Sequence, residues 1–192
     1  MEVDTLQAAD PHISAHLGEA LDFDGDTLVA SARGVAPVAV HTFDRVDRAG
    51  GQVAWEPGDL LLPVTQAFDF GQDVAVSGPW AAVGVLEEFG RVFLYERSAE
   101  HWAYHSVLQP AELQPGDLFG SAVALSGDTL AVGASHSHIS GGDGRVWIFR
   151  AGTAEDGGWG LEAVLEPTDP PPHGGFGWDV DLDGDRLVVG AF

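Results

Sequence analysis

The chain has 192 residues, enough for one sizeable core or a short array of repeated units, and its 45% hydrophobic content with 26 Gly describes a globular, turn-rich protein. It holds no Cys, which excludes disulfides and thiolate metal sites. Thirty Asp and Glu stand against eight Arg and no Lys, a formal charge of −22 that repels phosphate backbones and anionic lipid, so neither nucleic acid nor a membrane surface is expected as a partner.

In chain order, no stretch reaches 18 apolar residues, so no membrane insertion is expected. The opening Met1-Glu2-Val3-Asp4 shows no secretion signal. Residue 17 opens the first of four segments with one layout: LGEALDFDGDTLVASA from Leu17, FGQDVAVSGPWAAVGV from Phe70, FGSAVALSGDTLAVGA from Phe119 and FGWDVDLDGDRLVVGA from Phe176. Each has a Gly at its second position (Gly18, Gly71, Gly120, Gly177) and another seven residues later (Gly25, Gly78, Gly127, Gly184). Six residues further on stand Ser31, Gly84, Gly133 and Gly190. Four ungapped copies establish an internal repeat.

Between those glycines the residues alternate. Leu21 and Phe23, Val74 and Val76, Val123 and Leu125, and Val180 and Leu182 form one apolar face with a period of two, which predicts strands. DGD, SGP, SGD and DGD at the middle Gly are tight-turn residues, and the strand after each turn is apolar at successive positions, as when both faces are covered. Paired strands are therefore expected at about 19–24 and 27–32, 72–77 and 80–85, 121–126 and 129–134, and 178–183 and 186–191. A third strand recurs at Gly90–Tyr95 and Gly144–Phe149, more weakly at Val38–His41. A fourth runs from a Trp to a Leu-x-Pro at Trp102–Pro110 and Trp159–Pro167, with Trp55–Pro63 divergent.

First glycines lie 53, 49 and 57 residues apart, and four antiparallel strands at this spacing predict propeller blades. No segment carries a helical period, and a β-sandwich would not repeat its glycines in register. The fold class is thus all-β: a β-propeller segment of four-stranded antiparallel blades, an open arc of about three and a half. Residues 1–192 form one such segment. Residues 1–16 read as the end of a preceding blade and its loop, 17–69, 70–118 and 119–175 as blades, and 176–192 as the first two strands of another.

Phe119-Gly120 followed by Val132-Gly133-Ala134 resembles the FG-GAP repeat, the blade unit of the integrin α-subunit propeller and of many bacterial surface proteins. The short bacterial variety, without calcium loops, is the nearer likeness. The resemblance implies a seven-bladed, extracellular or cell-surface propeller used for adhesion or ligand binding.

Relatives of this kind often carry a calcium loop, suggested here by Asp22–Asp26 and Asp181–Asp185. Calcium needs six to eight oxygens, and the constant glycine spacing leaves no room for such a loop, so these read as turns. No cofactor is expected, beyond weak calcium association with clustered carboxylates. His136 and His138 project together as a zinc pair would, but spacing supplies no third ligand, so no metal site is expected. Phosphate-binding, nucleophile-elbow and metalloprotease motifs are missing, so the chain does not read as an enzyme. Trp147 and Trp159 read as packing between blades.

Connections from the fourth strand to the next first strand, and from the second to the third, share one rim of a propeller, where ligands meet it. Candidate binding residues there are Asp10, His12, His16, Glu112, His136, His138, Asp143, Asp169 and His173. The expected function is a non-catalytic adhesion or binding module for a protein or glycan. The alternatives are an accessory segment of a larger secreted hydrolase and a structural spacer. Made alone, the segment is expected to self-associate through its open ends.

Overall fold

The computed structural model describes residue 6 and residues 16–33, 38–99, 101–135, 143–168 and 174–191. Those residues hold no helix and fourteen strands. The first sheet contains β1 (Leu17–Asp24), β2 (Thr27–Ala32), β3 (Ala39–Arg48) and β4 (Gln52–Leu61). The second contains β5 (Val74–Ser77), β6 (Trp80–Val85), β7 (Arg91–Ser98) and β8 (His101–Leu108). The third contains β9 (Phe119–Ser126), β10 (Thr129–Ala134), β11 (Arg145–Arg150) and β12 (Gly160–Leu165), and β13 (Val180–Asp183) with β14 (Arg186–Val189) forms a two-stranded fourth. Every sheet is an antiparallel meander in sequence order. The four first strands lie side by side, β1 against β5, β5 against β9 and β9 against β13. This is an open propeller arc: three whole blades and the inner hairpin of a fourth.

The inner hairpins turn on two residues. Asp24 pairs with Thr27, Ser77 with Trp80, Ser126 with Thr129 and Asp183 with Arg186. Gly25, Gly78, Gly127 and Gly184 each take φ between +54° and +60° while the residue after each does not, the pattern of a type II′ turn.

Strands β5 and β13 begin two residues later than the alternation predicts, while β1 and β9 begin two residues earlier, and all four share a positive-φ first glycine. Gly71, Gly120 and Gly177 adopt φ near +90° and bulge the chain. The Gly84 carbonyl accepts from both Gly71 and Gln72, while the Gly84 N–H donates to Asp73 at 2.9 Å. Gly177, Asp179 and Gly190 repeat that exchange.

The repeat glycines also explain how closely the blades approach. A Cβ on Gly84 would overlap the Gly120 carbonyl of the next blade, and one on Gly133 would overlap that of Gly177. Phe119 and Phe176 dock as single parallel bridges on Gly90 and Gly144 of the blade before. The Phe-Gly pair is thus a plug, and the later glycine its socket.

The cores lie between sheets. Ala75, Leu94 and Leu108 pack with Val123, Leu130 and Trp147, and Val29 and Val40 pack with Val74, Val76 and Val83. Strands β6 and β10 are buried almost throughout, as expected for strands covered on both faces. Trp159 meets Trp80 of the preceding blade edge-on at 5.2 Å, so both tryptophans read as packing residues, Trp147 and Trp159, sit in a junction.

Candidate functional site

Two surfaces are left once the strands have packed: a concavity lined by the four inner strands, and the loop rim. The concavity, of about 560 Å³, is lined by Asp22, Asp73, Asp179 and Asp181 among small and apolar residues. Asp22, Asp24 and Asp73 are committed to the main chain of the next blade. Asp22 Oδ2 accepts from the Val76 N–H at 2.8 Å and Asp73 Oδ2 from the Val123 N–H at 2.8 Å. Asp24 accepts from Gly78 at 2.7 Å, Ser77 from Gly127 at 3.0 Å and Ser126 from Gly184 at 2.9 Å. Each bond crosses from one blade to the next. A side-chain oxygen on the inner strand latches the inner edge of its successor.

Burial pushes the Asp73 carboxyl up to about 6, outweighing its two N–H donors, and the nearby Asp179 and Asp22 charges add to the rise. Burial also raises Asp22, with Asp24 and Asp181 contributing. Among the described residues, no group of three or more His, Asp and Glu is arranged to hold a metal ion.

The rim is assembled from loops that hold one another. Arg91, opening β7, donates to the Gln66 carbonyl and to Glu87 Oε2, both at 2.7 Å, and to Thr65 Oγ1 at 3.4 Å. Glu87 Oε1 accepts from the Phe68 N–H. The β4–β5 connection is thereby tied to the β6–β7 connection. The next loop repeats the theme, with Gln109 donating to the Gly90 carbonyl at 3.1 Å and Gly116 to the Glu88 carbonyl at 3.2 Å. Fixed this way, residues 62–68 present Leu62, Val64 and Phe68 to solvent, Phe68 at 72% exposure.

Of the candidates expected from sequence, His16, Glu112 and Asp143 are described, and each has a local partner. His16 sits at φ +62° and hydrogen-bonds Glu19 at 2.9 Å. Glu112 accepts from the buried Trp147 indole at 3.4 Å, and the Asp143 carbonyl accepts from the Phe176 N–H at 3.0 Å. Asp10, His12, His136, His138, Asp169 and His173 lie outside the described residues. Sequence reasoning missed Leu62, Val64, Phe68 and the Glu87–Arg91 pair that props them. The available signal was composition: Leu62, Val64 and Phe68 are apolar residues in a connection between strands.

A family model described as FG-GAP repeat matches residues 102–149 and again 159–192. Among solved structures, the chain is similar to the computationally designed Ika4 protein, with a TM-score of 0.51 and 14% identity over 100% of this chain and 93% of that one. At that identity the likeness shows the fold alone. It is also similar to Sqt1 of Saccharomyces cerevisiae, with a TM-score of 0.48 and 14% identity over 86% of this chain and 39% of that one. No curated protein matches the sequence.

Proposed function

We propose, from the premise that this chain belongs to the FG-GAP repeat family, that it is a non-catalytic binding module whose loop rim meets a protein ligand outside the cell or at its surface. The observation that carries this reading is the braced 62–68 loop. Arg91 and Glu87 hold it in place, yet its apolar side chains face solvent. Fixing a loop that exposes Phe68 and Val64 costs stability unless the patch has a partner. An apolar anchor flanked by Glu87, Asp69 and Arg33 suits a protein surface better than a sugar. Glu112, Asp143 and His16 join the rim in this reading, and the sequence expectation adds Asp10, His12, His136, His138, Asp169 and His173, which lie outside the described residues. No cofactor enters this reading.

The test is an array of secreted and surface-protein ectodomains, with a glycan array in parallel. The expected result is a protein hit whose affinity falls at least tenfold in Phe68→Asp, while circular dichroism is unchanged. Glycan hits alone would make this a lectin-like module. A hit indifferent to both Phe68→Asp and Val64→Asp would remove the rim from the reading, and an empty screen would favour a spacer.

A further inference from the structure

The turn between the last two strands of a blade is short in the first two blades and long in the third. Strand β3 ends at Arg48 and β4 starts at Gln52, and β7 ends at Ser98 and β8 starts at His101, whereas β11 ends at Arg150 and β12 starts only at Gly160. The longer connection is folded on itself. Thr153 Oγ1 donates to the Arg150 carbonyl at 2.8 Å, the Gly157 N–H to the Ala154 carbonyl at 2.9 Å and the Gly158 N–H to Asp156 Oδ1 at 2.9 Å. So held, it leans on the second blade. Trp159 meets Trp80 edge-on, and Trp80 in turn meets the His105 ring of β8 at 5.0 Å and 90°. The other repeats place Thr27, Thr129 and Arg186 where Trp80 stands, so this stack of rings is particular to one junction.

A cavity of about 390 Å³ opens between this connection and β8, lined by His105, Ser106 and Val107 on one side and by Asp156, Gly158 and Trp159 on the other. It shares no lining residue with the central concavity or with the 62–68 loop. Its polar groups have capacity to spare. His105 Nδ1 lies 2.9 Å from Ser106 Oγ, which leaves Nε2, and Asp156 spends Oδ1 on Gly158, which leaves Oδ2. Trp159 is 6% exposed, and its indole N–H is buried with no acceptor among the described residues. An orphaned buried donor costs stability unless something outside the chain accepts from it.

These groups select a class of ligand. An anion would meet Asp156 and the field of a chain carrying −22 charges. A metal ion needs three or four ligands and finds one carboxylate and one imidazole. A purely apolar molecule would leave the imidazole, the carboxylate and the indole unpaired. A neutral ring bearing several hydroxyls fits, because each hydroxyl both donates and accepts and the C–H face of the ring suits the Val107 wall. We propose that the cleft between the second and third blades binds a saccharide. Asp156 Oδ2 accepts from a sugar hydroxyl, His105 Nε2 pairs with another, and the Trp159 N–H donates to a sugar oxygen. The stacked rings and the folded connection set these groups in place before the sugar arrives, which spares the cost of ordering them on binding. This site is separate from the rim and does not depend on what the rim meets.

The test uses the whole chain against a printed glycan array and against free glucose, galactose, mannose, fucose and N-acetylglucosamine, with binding read by calorimetry and by nitrogen–proton correlation spectra. The expected result is saturable binding of at least one sugar, with a shift of the Trp159 indole resonance, assigned by its loss in Trp159→Phe. Asp156→Ala removes the acceptor, and His105→Phe keeps a ring against Trp80 while removing both nitrogens. Each should weaken binding about tenfold or more, and Phe68→Asp on the rim should leave it unchanged. Circular dichroism checks folding; should either variant unfold, Asp156→Asn, which keeps an oxygen for the Gly158 N–H, is expected to show the same loss. A chain that binds no sugar on the array or in solution overturns the proposal. So does sugar binding that survives in folded Asp156→Ala and His105→Phe, or binding that is lost in Phe68→Asp and leaves the Trp159 resonance unmoved.

Discussion

The inner and outer hairpins of each blade follow different rules. Inner hairpins keep one glycine spacing and one two-residue turn through all four copies. Outer hairpins change from ten-residue strands in β3 and β4 to six-residue strands in β11 and β12, and their last strands are half exposed. The difference lies in what each touches. Inner strands meet the neighbouring blade main chain to main chain, where a single methyl group is too large. Outer strands meet it through side chains that adjust, such as Arg97 of β7, which bonds Asp44 and Thr27 of the first blade at 2.8 Å. Sequence is constrained where backbones touch.

The largest expected effect contrasts two glycines. Gly133→Ala drives a methyl into the Gly177 carbonyl and should cost about 3 kcal/mol by overpacking. Gly152→Ala, in the outer turn after β11, meets open space at φ +73° and should cost only about 1 kcal/mol of backbone strain. Urea midpoints measure both, and equal losses would break the comparison.

Next is the Asp73 latch. Asp73→Ala leaves the inner-edge N–H groups of Val123 and Val74 unpaired and should cost about 2 kcal/mol. Asp156→Ala removes a similar bond to the Gly158 N–H in an exposed outer loop and should stay within about 0.5 kcal/mol. Acidity sharpens the contrast. With its carboxyl pushed up from 3.8 to about 6, Asp73 binds its proton more tightly folded than unfolded. Its contribution is therefore complete below about pH 3.8 and lost as pH rises through 6. Melting temperature should climb from pH 7 toward pH 4 more steeply in the wild type than in Asp73→Asn. Parallel curves would show that the buried carboxylate does not titrate this way.

Smallest is the response to calcium. Asp24 already serves the Gly78 N–H, and a two-residue turn cannot wrap an ion, so calorimetry should find no site tighter than about 1 mM. A micromolar site abolished by Asp183→Ala would mean the turns open.

The blades were legible in the sequence because glycine spacing and alternation come from the inner hairpins, where backbone geometry leaves few choices. The latches were not. Asp22, Asp73, Ser77 and Ser126 look like ordinary outward-facing polar residues on alternating strands, and only the position of the next blade turns them into acceptors. Phe68 and Val64 were missed because loop residues carry no period, and what fixes them is Arg91, more than twenty residues away in sequence. The first blade shows how far the pattern bends. Leu17 replaces Phe and Ser31 replaces Gly, and the Ser31 hydroxyl takes the Ala20 N–H at 2.9 Å.

The latches have a consequence for how such chains grow. Every acceptor is a side chain, but every donor is an amide that any inner strand provides. Only one partner of each junction has to encode the recognition. A duplicated gene segment would therefore arrive able to be received by its neighbour at once, with no matching mutation on the receiving side. Lengthening the array needs copying, and not co-evolution.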